Sequence, residues 1–259
     1  DALPICLYTK YTANVHRAVH LLSEESTEPY EGARETVAGF IDVESREIAF
    51  VRNTTEALNI VAATLRSCGP VAVPLSEHHS NLLPWRSGEL IDLELLPSGR
   101  VDLEDAERKL SEFRPRLVSF STVSNSLGTR QPVDELTAMA RKIGARVLLD
   151  ISQSIGHEPL KMHELDCDFA CFSGHKMLGP SGIGVLYQRE GPGITVSPLL
   201  VGGSMISEVH RDSYVALPFP WCIEAGTPNI EGVIGLAAAC EYLESAGLAA
   251  INNHCKALI

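Results

Sequence analysis

Short runs of β-branched and aliphatic residues recur along the chain, at 48–51, 71–75, 90–96, 116–121, 146–149, 169–172 and 183–187. Each has the length and composition of a β-strand. Between them lie segments whose apolar residues fall three and four apart, the spacing that buries one face of a helix. In Asn53-Thr54-Thr55-Glu56 the side chain of Asn53 is placed to accept from first-turn amides while Glu56 reaches back, a capping box before the stripe Leu58, Val61, Ala62, Leu65. Further helices are predicted near 102–113, 133–143 and 231–244, with a last one near 249–259. Strands alternating with helices predict an α/β layered fold with a largely parallel sheet sandwiched by helices. No internal repeat, low-complexity tract or Pro/Gly-rich linker marks a domain boundary.

Composition narrows the class. The 259 residues are 45% hydrophobic and 21% charged, which excludes disorder, collagen and coiled coil. With 21 Lys+Arg against 33 Asp+Glu, the net charge of -12 gives no electrostatic footprint for nucleic acid or anionic lipid. The longest apolar stretch, around 232–240, is far short of a bilayer span, and no basic segment followed by an apolar core opens the chain, so a cytoplasmic location is expected. Seven scattered cysteines (Cys6, Cys68, Cys167, Cys171, Cys222, Cys240, Cys255) without a Cys-x-x-Cys pair predict buried, reduced thiols and no metal site.

In an open α/β sheet, ligands bind beyond the carboxyl ends of the strands, where helix N-termini point their amides inward. Five predicted strands end in reactive side chains: Asn53-Thr54-Thr55, Glu77-His78-His79, Ser124-Asn125, Asp150 with Gln153, and Ser173-Gly174-His175-Lys176. Singly, each has an ordinary reading. Thr54 and Thr55 suit a helix cap, His78-His79 a surface turn, Asp150 a turn residue and Lys176 a solvated lysine. Gly179-Pro180-Ser181-Gly182-Ile183-Gly184 reads more simply as a turn feeding a strand than as a phosphate loop. A triad of Ser173, His175 and Asp168 lacks the geometry, all three lying on one strand and its exit. Jointly they offer hydroxyls at a helix N-terminus for a phosphate, a carboxylate ending an apolar strand for a buried cation, and a lysine in a Gly-flanked loop as a nucleophilic amine. Pyridoxal phosphate requires all three, and the lack of a Walker A or G-x-G-x-x-G motif argues against a nucleotide.

The motifs Arg52-Asn53-Thr54-Thr55-Glu56-Ala57-Leu58-Asn59, Glu77-His78-His79-Ser80-Asn81-Leu82-Leu83-Pro84-Trp85, Val123-Ser124-Asn125-Ser126-Leu127-Gly128, Asp150-Ile151-Ser152-Gln153, Ser173-Gly174-His175-Lys176-Met177 and Glu224-Ala225-Gly226-Thr227-Pro228-Asn229 resemble those of the class V aminotransferase superfamily. The SufS-like cysteine desulfurases and selenocysteine lyases are the nearest branch. Ala13-Asn14-Val15-His16-Arg17 and Tyr30-Glu31-Gly32-Ala33-Arg34 fit as well, and the likeness runs in one register from Tyr11 to Ile259.

The resemblance implies the large domain of the fold type I PLP-dependent transferases, with residues 1–235 as an N-terminally incomplete cofactor domain and 236–259 as the start of a connection to a missing C-terminal small domain. It implies that Lys176 condenses with the cofactor aldehyde and moves the Cα proton, and that His78 stacks on the ring as a second catalytic residue. Asp150 would pair with the ring nitrogen, Gln153 with the phenolic oxygen, and Thr54, Thr55, Ser173 and His175 with the phosphate. Asn125 would lie near the substrate carboxylate, and Thr227 would reach the phosphate of a neighbouring subunit in a homodimer. The implied activity converts L-cysteine, or selenocysteine, to L-alanine and an enzyme-bound persulfide for iron-sulfur cluster assembly, with a sulfur-acceptor protein as a further partner. Two departures weigh against full activity here: the family's persulfide-forming cysteine and substrate-gripping arginine belong to the C-terminal domain, and its first strand is missing before Asp1. Another class V aminotransferase or lyase, or an inactive PLP-binding partner of a full-length enzyme, therefore remains an alternative.

Overall fold

The computed structural model describes residues 15, 21–65, 67–191 and 196–258. The expected match around Asn14 lies outside these residues except for Val15, as does Cys6. Seven strands, β1 (Ile48–Val51), β2 (Val71–Pro74), β3 (Leu90–Leu93), β4 (Leu117–Ser121), β5 (Arg146–Asp150), β6 (Phe169–Ser173) and β7 (Gly184–Gln188), form one sheet in the order β1-β7-β6-β5-β4-β2-β3. The neighbours from β3 through β6 run parallel, and β7 is antiparallel to both β6 and β1. The expected largely parallel sheet is therefore present. With β7 between them, β1 and β6 point the same way, so the carboxyl ends of β1, β2, β4, β5 and β6 share one edge.

Side chains alternate along each strand between two cores. Val118, Phe120, Val147, Leu149, Ala170 and Phe172 face one, while Leu117, Leu148, Phe169 and Cys171 face the other. Helices α1 (Leu21–Phe40), α4 (Leu103–Phe113), α5 (Val133–Lys142) and α6 (Ile230–Ala246) cover the first core through residues such as Tyr30, Leu110, Leu136 and Leu236. On the second face α2 (Thr54–Leu65) lays down Leu58, Val61, Ala62 and Leu65, the stripe read from the sequence. The short α3 (His79–Leu82) follows β2, and α7 (Leu248–Leu258) leaves α6 at a 74° bend where Gly247 takes φ 84°. No single helix among the described residues is long and apolar enough to cross a membrane.

Three sequence expectations change. The run 90–96 stops as a strand at Leu93, because the Glu94 amide donates to Asp105 Oδ2 (3.0 Å) and Leu95 bridges Val101 in antiparallel fashion. Glu56 reaches one residue further than a capping box requires: Asn53 Oδ1 accepts from the Glu56 amide (3.0 Å), but Glu56 Oε2 accepts from Arg52 N (2.6 Å). Among the described cysteines, Cys167, Cys171, Cys222 and Cys240 are buried free thiols as expected, whereas Cys68 is exposed and Cys255 half-buried. Two elements carried no usable signal, helix α1 and a separate hairpin of β8 (Ile206–Val209) with β9 (Tyr214–Ala216).

Candidate active site

A two-residue turn leads from β1 into α2, so the first amides of that helix open directly onto the sheet edge. The approach is tight. A Cβ on Gly184 at the start of β7 would lie 2.6 Å from Phe172 O and 2.9 Å from Asn53 Cα, so only glycine lets the ends of β1 and β6 close together there. That closure brings Ser173, at the end of β6, against the helix. Ser173 Oγ accepts from the Thr54 amide (2.9 Å), and Thr54 Oγ1 lies 2.8 Å from both Ser173 Oγ and Ser152 Oγ. The Thr55 amide has no partner among the described residues, and Thr55 Oγ1 meets Ser80 Oγ at 2.7 Å. Hydroxyls and amides at a helix N-terminus form a cup for an oxyanion.

Asp150, buried at the end of β5, supplies the opposite charge requirement. Its Oδ1 accepts from the Ser152 amide (2.9 Å), and burial raises its proton affinity, opposed by Ser152 and then by the charges of His78 and Lys176. Glu77 is also buried. Its carboxyl is pushed up to about 7, first by burial and also by the nearby Asp150 charge, although Ser121 and Asn81 donate to it. Among the described residues no cation is hydrogen-bonded to either carboxyl, so the buried pair favours a positive partner.

His78 caps α3, its Nδ1 accepting from the Ser80 amide (3.1 Å), so the proton of the neutral ring sits on Nε2. Gln153 Nε2 donates to Asn125 Oδ1 across the cavity mouth. Lys176 ends the 3-10 turn Gly174–Lys176 after β6, exposed and without an ion pair among the described residues.

One cavity of about 290 Å³ is lined by Thr54, Thr55, His78, Asn125, Asp150, Gln153, Ser173, His175 and Lys176 together. Thr227 is not among its lining residues; it is exposed between Gly226 and Pro228, which line a second cavity with Tyr30, Trp221 and Glu224. Sequence reasoning missed Ser80, Ser121 and Ser152, which also line the first cavity, and gave no role to Glu77. Ser152 was accessible as the residue two after a strand-terminal aspartate, a spacing that closes an Asx turn.

The family profile described as Aminotransferase class-V matches residues 5–259. The chain belongs to the class-V aminotransferase family. Similar members include a "Probable cysteine desulfurase" of Streptomyces coelicolor, 42% identical over 97% of this chain and 64% of the relative. Among solved structures, the apo cysteine desulfurase of Thermococcus onnurineus NA1 aligns with TM-score 0.89 at 44% identity, over 95% of this chain and 64% of that one. The Escherichia coli cysteine desulfurase CsdA, in an S-sulfonic acid form, aligns with TM-score 0.84 at 35% identity, over 96% and 64%. This chain thus spans just under two thirds of the length of these family members. The fold is that of the fold type I PLP-dependent transferases, as the motifs implied.

The buried carboxyls give the cofactor-free protein a characteristic pH response. Because Glu77 and Asp150 hold protons more tightly folded than unfolded, the stability they contribute is fully present below the ordinary carboxylate range and is lost as pH rises through their raised values, which for Glu77 is about 7. Asp150→Asn is expected to raise the melting temperature of the cofactor-free chain at pH 8 by several degrees and to have little effect near pH 4. Differential scanning fluorimetry across that range checks it. An unchanged or lower melting temperature at pH 8 would show that Asp150 is not held as an unbalanced buried anion.

Proposed function

We propose that this chain is the cofactor-binding part of a pyridoxal-phosphate-dependent cysteine desulfurase, acting on L-cysteine, or selenocysteine, to yield L-alanine and a persulfide for iron-sulfur cluster assembly. The observation that carries the reading is the convergence on one cavity of a buried, cation-seeking carboxylate, a hydroxyl cup at a helix N-terminus and a lysine. That donor set fits pyridoxal phosphate part by part. The Thr54, Thr55, Ser173 and His175 side chains would hold the phosphate, Asp150 the ring nitrogen, Gln153 the phenolic oxygen, His78 the ring face and Lys176 the aldehyde carbon. When bound, the cofactor would supply an electron sink conjugated to the substrate Cα.

The chain's own groups then have defined tasks. Asp150, an anion out of water, keeps a proton on whatever base it faces, which a neutral partner would not do. Lys176 Nζ takes the proton from Cα and returns it, and Asn125 at the mouth bonds the substrate carboxylate. Cys171 stays out of the reaction: it is buried on β6 as the register partner of Asp150, its Sγ turned to Leu149 O, and its thiol is held well above the ordinary range by burial. None of the described cysteines lines the cavity, in keeping with a sulfur-accepting thiolate supplied from elsewhere in the whole protein. Residues 1–235 would be the cofactor domain, with 236–259 beginning the connection to a C-terminal domain. Exposed Thr227, and a hairpin that leaves Val209, Tyr214 and Val215 open to solvent, suit a homodimer in which Thr227 completes the neighbour's phosphate cup. The localisation this implies is cytoplasmic.

Borohydride reduction of the protein loaded with pyridoxal phosphate, followed by peptide mapping, should place the pyridoxyl group on Lys176. Attachment to another lysine, or to none, overturns the cofactor assignment. With the whole protein, alanine formation from cysteine without any keto acid separates desulfuration from amino transfer.

A further inference from the structure

The strongest group left without a task is Glu77, a buried carboxylate beside the site that, among the described residues, neither lines the cavity nor bonds a cation. It joins three elements. Oε1 accepts from the amide and the hydroxyl of Ser121, at 2.8 and 2.7 Å, at the end of β4. Oε2 accepts from Asn81 Nδ2 at 2.7 Å in α3. Ser121 is in turn the register partner of Asp150, and His78 is the next residue after Glu77.

The network fixes which chemical group must stand at position 77. Asn81 Oδ1 already accepts from Trp85 Nε1 (3.3 Å) and Ser119 Oγ (2.5 Å), so the Asn81 amide has only its NH2 to turn towards residue 77. The Ser121 amide is likewise a donor only. Residue 77 must therefore present acceptors on both sides, which a carboxylate does and a carboxamide does not. A glutamine there would set NH2 against NH2 at Asn81, or leave the Ser121 amide facing a donor.

We infer that Glu77 is a positioning residue: by accepting from Ser121 and Asn81 at once it fixes the backbone of His78 over the Asp150 end of the sheet, and so holds the cavity in the shape that binds the cofactor ring. The inference rests on the functional reading above. Among the described residues the His78 ring bonds only Ser80, at the start of α3, and its carbonyl accepts from the amide of buried Asn81 (2.7 Å), which Glu77 itself holds.

The test exchanges acid and amide. Glu77→Gln should weaken pyridoxal phosphate binding about tenfold or more, the size expected when a buried donor loses its acceptor. The double variant Glu77→Gln/Asn81→Asp restores every bond, since the carboxamide NH2 introduced at position 77 would donate to the carboxylate introduced at position 81, whose other oxygen still accepts from Trp85 and Ser119. It should bind within about threefold of the wild type, well inside the ~1.4 kcal/mol of a tenfold change. Affinity is read by cofactor fluorescence on the full chain, with melting temperature alongside. If the single variant does not fold, the double variant against wild type decides. A double variant that folds and melts like wild type but binds tenfold more weakly overturns the positioning role, because hydrogen bonding would then be intact and binding not. A single variant with wild-type affinity, or a double variant that does not fold, overturns it too. Failure of the wild type to take up pyridoxal phosphate on Lys176 instead overturns the functional reading, and this one with it.

Discussion

Lys176→Ala in the whole protein is expected to lower turnover of cysteine by about 1,000-fold or more, since one residue is asked both for the covalent attachment point and for the proton transfer at Cα. Among the described residues no other lysine lines the cavity. The hydroxyl cup around Thr54 and Ser173 and the carboxylate of Asp150 are untouched by the change, so the variant should still bind pyridoxal phosphate, now removable by dialysis. Lys176→Arg should not rescue it, because a guanidinium stays protonated at any working pH and can act neither as nucleophile nor as base. Single-turnover alanine formation, measured beside cofactor retention, reads both effects. Wild-type turnover in either variant would remove Lys176 from the reaction.

The second large effect lies away from the cavity. Arg34 is 1% exposed, with NH1 and NH2 donating to Glu224 Oε1 and Oε2 at 2.7 and 2.8 Å. NH1 also donates to Ile48 O (3.1 Å), and the guanidinium lies 4.7 Å from the Phe50 ring centroid and 5.5 Å from that of Tyr30. Glu224 in turn accepts from the Phe50 amide (2.8 Å) and the Tyr30 hydroxyl (3.2 Å). Removing one member of a buried, hydrogen-bonded pair strands the other charge, at about 3–5 kcal/mol. Arg34→Ala should therefore lower the melting temperature by roughly 6–20 °C, at ~2–4 °C per kcal/mol for a chain of this size. Arg34→Met with Glu224→Gln should recover much of the loss, because neither charge is then buried alone. If Arg34→Ala melts within a degree or two of wild type, the pair is not the anchor described here. Glu224 lies three residues before Thr227, so the same substitution loosens the loop proposed to reach the neighbouring subunit.

The strands and the cavity residues were legible because each depends on local chemistry. Runs such as Val147-Leu148-Leu149 serve two cores at once and stay apolar throughout, and the polar residues that break them lie at the sheet edge. Helix α1 was not legible: its buried face includes Ser26 and Arg34 beside Tyr30, Ala33 and Val37, and Pro29 lies inside it. The β8–β9 hairpin is largely exposed on both faces, so no apolar alternation announces it. Glu77 stood in a quoted motif, yet its role depends on Ser121, 44 residues on, and hence on β4 rather than β3 lying on that side of β2. Spacing along a chain does not contain strand order.

Strand order also sets a schedule for synthesis. Among the described residues β1 pairs with no strand but β7, which follows it by about 130 residues, so at ~5–20 residues per second the ribosome leaves Ile48-Ala49-Phe50-Val51 without a partner for roughly 7–26 seconds. Through that interval an early, wholly apolar segment presents both edges to any other nascent chain, and the oxyanion cup that follows it does not yet exist. The parallel strands from β2 to β6 can assemble as they emerge, but β1 gains its register partners only when β7, beginning at Gly184, arrives.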